Sequence, residues 1–238
     1  MIDSQDSTPP APHMLARLAG FLYALVVITG VFSLAYAPSR VFAGAEASTI
    51  LSSVARNEQL FRYAILAEVI CYTAFLLLPL TLYKLLAPAG AMAAAAMAAL
   101  AMASAPIGFV NVLRLFEILG LAGAPQTAEL GAEAMRALAR YHDGLLFLQV
   151  FWGLWLIPFG LLILRGKLLP GIIGLLLMLA GAGYFIDFAR KLVWPGYGDS
   201  GLGGYLRPLR ASEMAIAAWL LIFGARGLAF AGRADRAD

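Results

Sequence analysis

The stretch FRYAILAEVICYTAFLLLPLTLYKLL, residues 61–86, decides the fold of this chain. Between Arg62 and Lys84 it holds one charged side chain, Glu68, among apolar and aromatic residues. An α-helix needs about 20 predominantly apolar residues to cross the hydrocarbon layer of a bilayer. The stretch is long enough, so it predicts a transmembrane helix that carries a carboxyl group inside the membrane.

Five other segments share this apolar character, and the six predicted spans cover residues 14–36, 61–86, 91–121, 144–164, 169–188 and 211–230. The whole chain is 62% hydrophobic and 13% charged, with a mean hydropathy of +0.83. These values are typical of polytopic membrane proteins. We therefore predict an all-α bundle of six transmembrane helices over residues 14–230, with a disordered cytoplasmic tail at 1–13 and a charged tail at 231–238.

Long connections follow the first, third and fifth spans, and short amphipathic helices are expected in them. After the first span, three apolar residues fall on one face of a helix at the membrane interface: Ile50, Leu51 and Val54. After the third span, Thr127 is placed to cap a helix that leads into the fourth. Pro106 and Gly108 are expected to break or bend the third span.

The charges of the short loops suggest an orientation in the membrane. The ends of these loops carry Lys84, Arg165 and Lys167, and the positive-inside rule places such loops in the cytoplasm. A raw count of cations over all the loops favours the opposite orientation. Because six spans return the chain to its starting side, we predict that both termini are cytoplasmic.

Several classes of function are excluded by composition. Cys71 is the single cysteine, so an intrachain disulfide and a multi-cysteine metal site are both ruled out. The two histidines, His13 and His142, are predicted on opposite faces of the membrane, which argues against a metal site built from histidines. The sequence has no basic run with interleaved aromatic residues, so a nucleic-acid partner is not expected. The sequence indicates no particular cofactor.

Polar residues of the spans gather at the helix ends that face the long loops. A charge at the centre of a membrane helix costs about 2.5–3.5 kcal/mol on insertion scales, so a one-sided cluster predicts a polar pocket that opens toward that face. The predicted ligand-binding residues are Glu68, Asn111, Arg114, His142, Asp187, Arg190 and Glu213. Tyr141 is among the aromatic residues expected to form a belt at the same interface.

Within this set, Glu68 needs a partner if it is buried, and Arg114 is the natural candidate. Such a pair would be either one wall of a pocket or a structural ion pair that fixes the helix register. Asp187 and Arg190 are one turn apart, so they share a helix face. The second pair would lie either in the pocket or near the lipid headgroups.

His142 is the one catalytic candidate in the sequence. A histidine titrates near neutral pH and can act as a general acid or base. A histidine that precedes a helix beside an aspartate, here Asp143, is also typical of a simple cap. Glu213 opens the sixth span, where a carboxylate meets the positive end of the helix dipole.

Several short pieces of the chain resemble a bacterial membrane family, the domain of unknown function 4386. They are ARLAGFLY at 16–23, LFR at 60–62 followed by Glu68, LYKLL at 82–86, LLP at 168–170 with Gly174, AGAGYFID at 180–187, and Glu213 with AAWLL at 217–221. The resemblance implies a six-helix integral protein of the bacterial cytoplasmic (inner) membrane. It implies no particular activity.

We expect the chain to bind, sense or transport a small amphipathic molecule or lipid in the polar pocket on the long-loop side. One alternative is a membrane-embedded enzyme that modifies a lipid and uses His142 as acid or base, although the sequence leans toward a non-enzymatic role. Another is an accessory subunit of a membrane complex. Membrane lipids are the expected partners, and a homo-oligomer or a larger complex stays open.

Overall fold

The computed structural model describes residues 12–166 and 170–193, together with 216, 219, 220 and 222. Its helices are α1 (Pro12–Val31), α2 (Ala37–Val41), α3 (Ile50–Arg56), α4 (Glu58–Leu86), α5 (Ala91–Ala122), α6 (Ala128–Leu154), α7 (Leu156–Gly166) and α8 (Gly171–Val193). A π-helical turn, Phe32–Tyr36, joins α1 to α2, and a 3₁₀ turn, Ala87–Ala89, follows α4. The predicted all-α class is confirmed.

Within the described residues, five stretches are long and apolar enough to cross a membrane: Met14–Val41, Glu58–Ala89, Ala91–Ala122, Ala128–Gly166 and Gly171–Val193. They correspond to the first five predicted spans, so the chain is a multi-pass membrane protein. Most of the predicted sixth span, 211–230, lies outside the described residues, and so do nearly all of the first tail and the whole of the second. The first span extends past its predicted end to Val41, and the fourth begins well before residue 144 because it continues the preceding helix.

The short helix predicted after the first span is present as α3, and the helix predicted after the third span is the beginning of α6. The connection after the fifth span lies outside the described residues. In α3 the three apolar residues of the predicted face, Ile50, Leu51 and Val54, are buried against the bundle. At the start of α6 the hydroxyl of Thr127 accepts a hydrogen bond from the backbone N–H of Leu130, at 3.3 Å. Both features depend on residues close in sequence, which explains why they could be predicted.

Of the two effects expected from Pro106 and Gly108, a break or a bend, the break does not occur, because α5 runs without interruption from Ala91 to Ala122. A proline removes one backbone donor, and a helix inside a bundle tolerates this loss when its neighbours hold it in place. Gly108 makes room for a neighbour instead. A Cβ atom at this position would overlap the ring of Tyr72 on α4.

The bundle has an apolar core in each half. The core of the short-loop half surrounds Trp155, Tyr23 and Phe159. The core of the long-loop half surrounds Phe61 and Ile118 and includes Tyr72 and Tyr141. Helix neighbours pack in the order α1 on α4, α4 on α5, α5 on α6, and then α6 and α7 on α8.

A glycine seam holds α8 against α6 and α7. Gly153 and Gly160 lie two helical turns apart and face Gly181 and Gly174 of α8. A Cβ atom on Gly153 would lie 2.7 Å from the carbonyl oxygen of Gly181, and one on Gly174 would lie 2.7 Å from that of Gly160. Small residues let helix backbones approach closely in a membrane, where lipid is as apolar as leucine. Each pair of glycines is separated by seven residues, so this seam could have been predicted from the sequence.

Candidate functional site

Glu68 lies inside the apolar layer, near its long-loop side. Arg62 and Lys84 of α4 are separated by a rise of about 33 Å, close to the thickness of the hydrocarbon layer. Glu68 lies about 9 Å inward from Arg62 along the helix. The side chain is buried, with 1% of the residue exposed. A carboxyl group at this depth must find its polar partners within the protein.

Those partners are two tyrosine hydroxyls. Tyr141 of α6 donates to both carboxyl oxygens of Glu68, at 2.8 Å from Oε2 and 3.0 Å from Oε1. Tyr72, one turn further along α4, donates to Oε1 at 3.3 Å. Within the described chain, no lysine or arginine lies within 4 Å of the Glu68 carboxyl. A carboxylate has about four acceptor positions and each hydroxyl has one proton, so the two tyrosines do not use all of its acceptor capacity.

Helix α5 fixes the position of Tyr141. The side-chain amide of Asn111 is buried and donates to the backbone carbonyl of Tyr141, at 3.0 Å. Gly144 gives the amide its space, because a Cβ atom there would overlap the side chain of Asn111. A buried amide left unpaired would cost about 1–3 kcal/mol, so this contact ties α5 to the turn of α6 that carries Tyr141.

Tyr72 is positioned by the same helix. Its ring lies over Gly108 and makes an edge contact with Phe109, with the two ring centroids 5.9 Å apart. The three helices α4, α5 and α6 therefore enclose one carboxyl group. We call Glu68, Tyr72, Asn111 and Tyr141 the carboxyl cluster.

The first span places a π-helical turn at the depth of the carboxyl cluster. A Cβ atom on Gly30 would lie 3.6 Å from the thiol sulfur of Cys71 on α4, so these two residues lie at the same depth in the bundle. Since the helices are antiparallel, Ser33 is then level with Glu68. Ser33 is buried and belongs to the π-helical turn that packs on α4. Such turns occur frequently at functional sites.

The predicted ion pair between Glu68 and Arg114 is wrong. Arg114 lies about one turn nearer the long loop than Asn111, and it contacts Glu117 of its own helix at 3.3 Å. Arg140 of α6 contacts the other oxygen of Glu117, at 2.7 Å. Both arginine side chains are more than two-fifths exposed, so this charged group lies at the rim of the bundle.

Asp187 belongs to a second buried polar group. Its carboxylate contacts Arg190 at 2.8 Å and Lys191 at 2.9 Å, and the residue is 4% exposed. The predicted pairing of Asp187 with Arg190 on one helix face is confirmed. Glu68 and Asp187 are thus held by different kinds of partner, hydroxyls in one case and cations in the other.

The other predicted site residues lie outside these two groups. His142 is exposed, and its ring lies against that of Tyr141, with centroids 5.8 Å apart. An enzyme that used His142 beside an interior carboxylate gains no support from this position. Glu213 lies outside the described residues. Tyr141 was expected in the interfacial belt, but it is buried in the carboxyl cluster.

Sequence reasoning missed both tyrosine partners of Glu68. Tyr72 could have been found, because it follows Glu68 by one helical turn and shares its face. Tyr141 is far away in sequence, and finding it required the rotation of α6 relative to α4. A further polar atom was also missed: the side-chain oxygen of Gln149, deeper on α6, is buried and has no hydrogen-bond donor within the described chain.

Comparison with known proteins gives a family and no activity. The family model described as Domain of unknown function (DUF4386) matches residues 18–224. This range includes all four residues of the carboxyl cluster. A search of curated proteins found no match, and a search of solved structures found none.

Proposed function

The chain belongs to the family described as domain of unknown function 4386, and from the geometry of its carboxyl cluster we propose that it binds a small amphipathic molecule inside the membrane, with the polar end of the ligand at Glu68. The observation that supports this proposal is a buried carboxyl whose described partners are hydroxyls rather than cations. Ionisable residues within membrane spans are costly and commonly mark ligand or ion pathways.

Structural stability alone gives little reason for a carboxyl at this position. Two neutral hydroxyls do not cancel a negative charge, and burying an unpaired charge is expensive. A glutamine at residue 68 would still accept hydrogen bonds from Tyr72 and Tyr141 through its amide oxygen. A carboxyl is therefore better explained by a ligand that uses its charge or its proton.

The surroundings of Glu68 favour a ligand with a polar end and an apolar body. Val112 and Leu138 belong to the same core as Tyr72 and Tyr141, so most of the neighbouring surface is apolar. Since Glu68 lies about 9 Å inward from Arg62, a molecule entering from the long-loop side would bury its apolar part among the helices. Sensing and transport would both begin with this binding step.

The proposal can be tested by photo-crosslinking in lipid nanodiscs. Three probes carry the same decyl chain with a diazirine and differ in the headgroup, which is trimethylammonium, hydroxyl or carboxylate. We expect at least one probe to label peptides that contain Glu68 or Tyr141, with competition by the unlabelled analogue. Glu68→Gln should lower labelling by the preferred probe about tenfold or more, a loss that corresponds to 1.4 kcal/mol of binding energy.

The matched control is Glu117→Gln, which removes an acid of similar size from the rim of the same bundle. Its labelling should equal that of the wild type, because Glu117 contacts Arg114 and Arg140 rather than the carboxyl cluster. If none of the three probes labels this region, the proposed function is wrong.

A further inference from the structure

We infer that the ligand at Glu68 is an amphipathic organic cation and that it binds by exchange for the proton of the Glu68 carboxyl. This inference rests on the proposed function and names the ligand class for the same site. In the exchange, the O–H bond of the carboxylic acid breaks, the proton leaves to water on the long-loop side, and the resulting carboxylate pairs with the cation. Total charge in the buried site is conserved.

Glu68 differs from the acids that the structure describes in ion pairs. Asp187 has Arg190 and Lys191, Glu117 has two arginines, and Glu58 has Arg62. Glu68 is buried as deeply as Asp187, yet the residues described around it supply no cation. An apolar interior accepts a carboxyl group when a proton or a cation removes its charge. Either species can occupy Glu68, and the two compete.

Acceptors outnumber donors at Glu68. Tyr72 and Tyr141 together supply two O–H donors for about four acceptor positions on the carboxylate. A site with unused acceptors and few donors complements a ligand that is positively charged.

The aromatic rings and the small number of oxygen ligands at Glu68 indicate the kind of cation. The rings of Tyr72, Phe109 and Tyr141 stand near the carboxyl or next to one another, and aromatic faces attract ammonium groups. Small hard cations such as Ca²⁺ take six or more oxygen ligands. The side chains that meet at Glu68 offer fewer, and their surroundings are apolar. The site therefore suits an ammonium or amidinium group attached to an apolar body.

The ionisable groups around Glu68 leave the carboxyl as the one that exchanges. On α4 they are Cys71 and Tyr72, and on α6 the facing group is Tyr141. The buried polar residues on α5 are Ser104 and Asn111, which do not titrate, and the charges of that helix pair at the rim. The first span presents Ser33 and Thr29 at this level, and neither titrates.

The experiment uses the trimethylammonium probe, whose charge does not change with pH. Its labelling of the wild type should rise with pH, by at most about tenfold per unit, as expected for exchange against one proton. In Glu68→Gln the labelling should be weak and independent of pH, while Glu117→Gln should follow the wild type. Proton release on adding the cation, measured with a pH-indicator dye, should approach one proton per bound probe.

Other results would overturn the inference, and they separate it from the proposed function. If the hydroxyl or carboxylate probe labels the site as well as the trimethylammonium probe, the ligand class is wrong and the binding function stands. Labelling by the cation with no pH dependence in the wild type would also refute proton exchange. Competition by sodium, but not by choline at the same ionic strength, would indicate an inorganic cation site. Absence of labelling by all three probes refutes both proposals.

Because Glu68→Gln could fail to fold, a second variant keeps the carboxyl. Tyr141→Phe removes one donor and leaves the acid in place. We expect it to retain pH-dependent labelling by the cation, since the charge is still available. Loss of that dependence in a Tyr141→Phe protein that elutes as a single species would count against Glu68 as the exchanging group.

Discussion

Two buried acids in the described part of the chain, Glu68 and Asp187, are stabilised in opposite ways. Asp187 is neutralised by Arg190 and Lys191 from the next turn of its own helix. Glu68 has hydroxyl partners, and the closer one comes from a different helix. The first arrangement pairs a buried acid with cations of its own helix and is typical of a structural ion pair. The second leaves the carboxyl to be neutralised by a proton or by a cation from outside the described chain.

The largest expected effect is the loss of the Asp187 carboxylate. Asp187→Asn keeps the shape of the side chain but leaves two cations beside a buried amide. Removing one partner of a buried ion pair costs about 3–5 kcal/mol, so we expect a destabilisation of about 3 kcal/mol. The free energy of unfolding in mixed detergent micelles measures it.

Glu68→Gln is the matched substitution for the other buried acid. It should change the free energy of unfolding by less than about 1 kcal/mol, because the amide oxygen keeps accepting from the tyrosines. Equal destabilisation by Asp187→Asn and Glu68→Gln would mean that both acids are structural and that Glu68 does not differ from Asp187.

Whether a partner lies on the same helix or on another one decides whether it could be predicted from the sequence. The cations of Asp187 follow it by one turn, and Thr127 caps a helix that starts at the next residue, so helical spacing was sufficient. Tyr141 reaches Glu68 from another span, and its position depends on how α6 is rotated and on the contact with Asn111. Neither the hydrophobic pattern nor the loop lengths contain that information.

Two differences from the sequence-based expectations have other physical causes. Pro106 does not break α5, because helix-breaking rules describe an isolated helix and α5 is held on both sides by neighbours. The pairing of Glu68 with Arg114 assumed that a buried acid must have a cation. Arg114 has an acid on its own helix, Glu117, and reaches it without leaving the rim of the bundle.

A smaller effect is expected from a change that disturbs the carboxyl cluster without replacing any of its residues. Gly144→Ala places a methyl group against the side chain of Asn111. Overpacking of a well-filled site costs about 1–3 kcal/mol. We expect a loss in this range in the free energy of unfolding, together with weaker labelling of the site by the trimethylammonium probe.

Gly120→Ala is the control for this substitution, because a Cβ atom at Gly120 of α5 meets nothing within 4 Å. It should leave labelling unchanged and should stabilise the helix by at most about 1 kcal/mol. If Gly144→Ala behaves like Gly120→Ala, the contact between Asn111 and the turn that carries Tyr141 does not hold the cluster together.

The smallest effects are expected from the two hydroxyls, and they rank the partners of Glu68. Hydrogen bonds to charged groups contribute about 1.5–3 kcal/mol and those between neutral groups about 0.5–1.5 kcal/mol. Tyr141→Phe removes the shorter contact, 2.8 Å, and should cost about 1 kcal/mol if the resting carboxyl is protonated. Tyr72→Phe removes the 3.3 Å contact and should cost about half as much. Unfolding titrations of both variants in the same micelles give the comparison.

The pair of variants also tests whether the carboxyl is charged when no ligand is bound. If the resting carboxyl is protonated, each hydrogen bond joins two neutral groups. Both substitutions should then lower the free energy of unfolding by about 0.5–1.5 kcal/mol. If both values instead lie above about 1.5 kcal/mol at neutral pH, the resting carboxyl is ionised and the cation adds to the site without displacing a proton. That result would preserve the difference between Glu68 and Asp187 while removing proton exchange from the explanation.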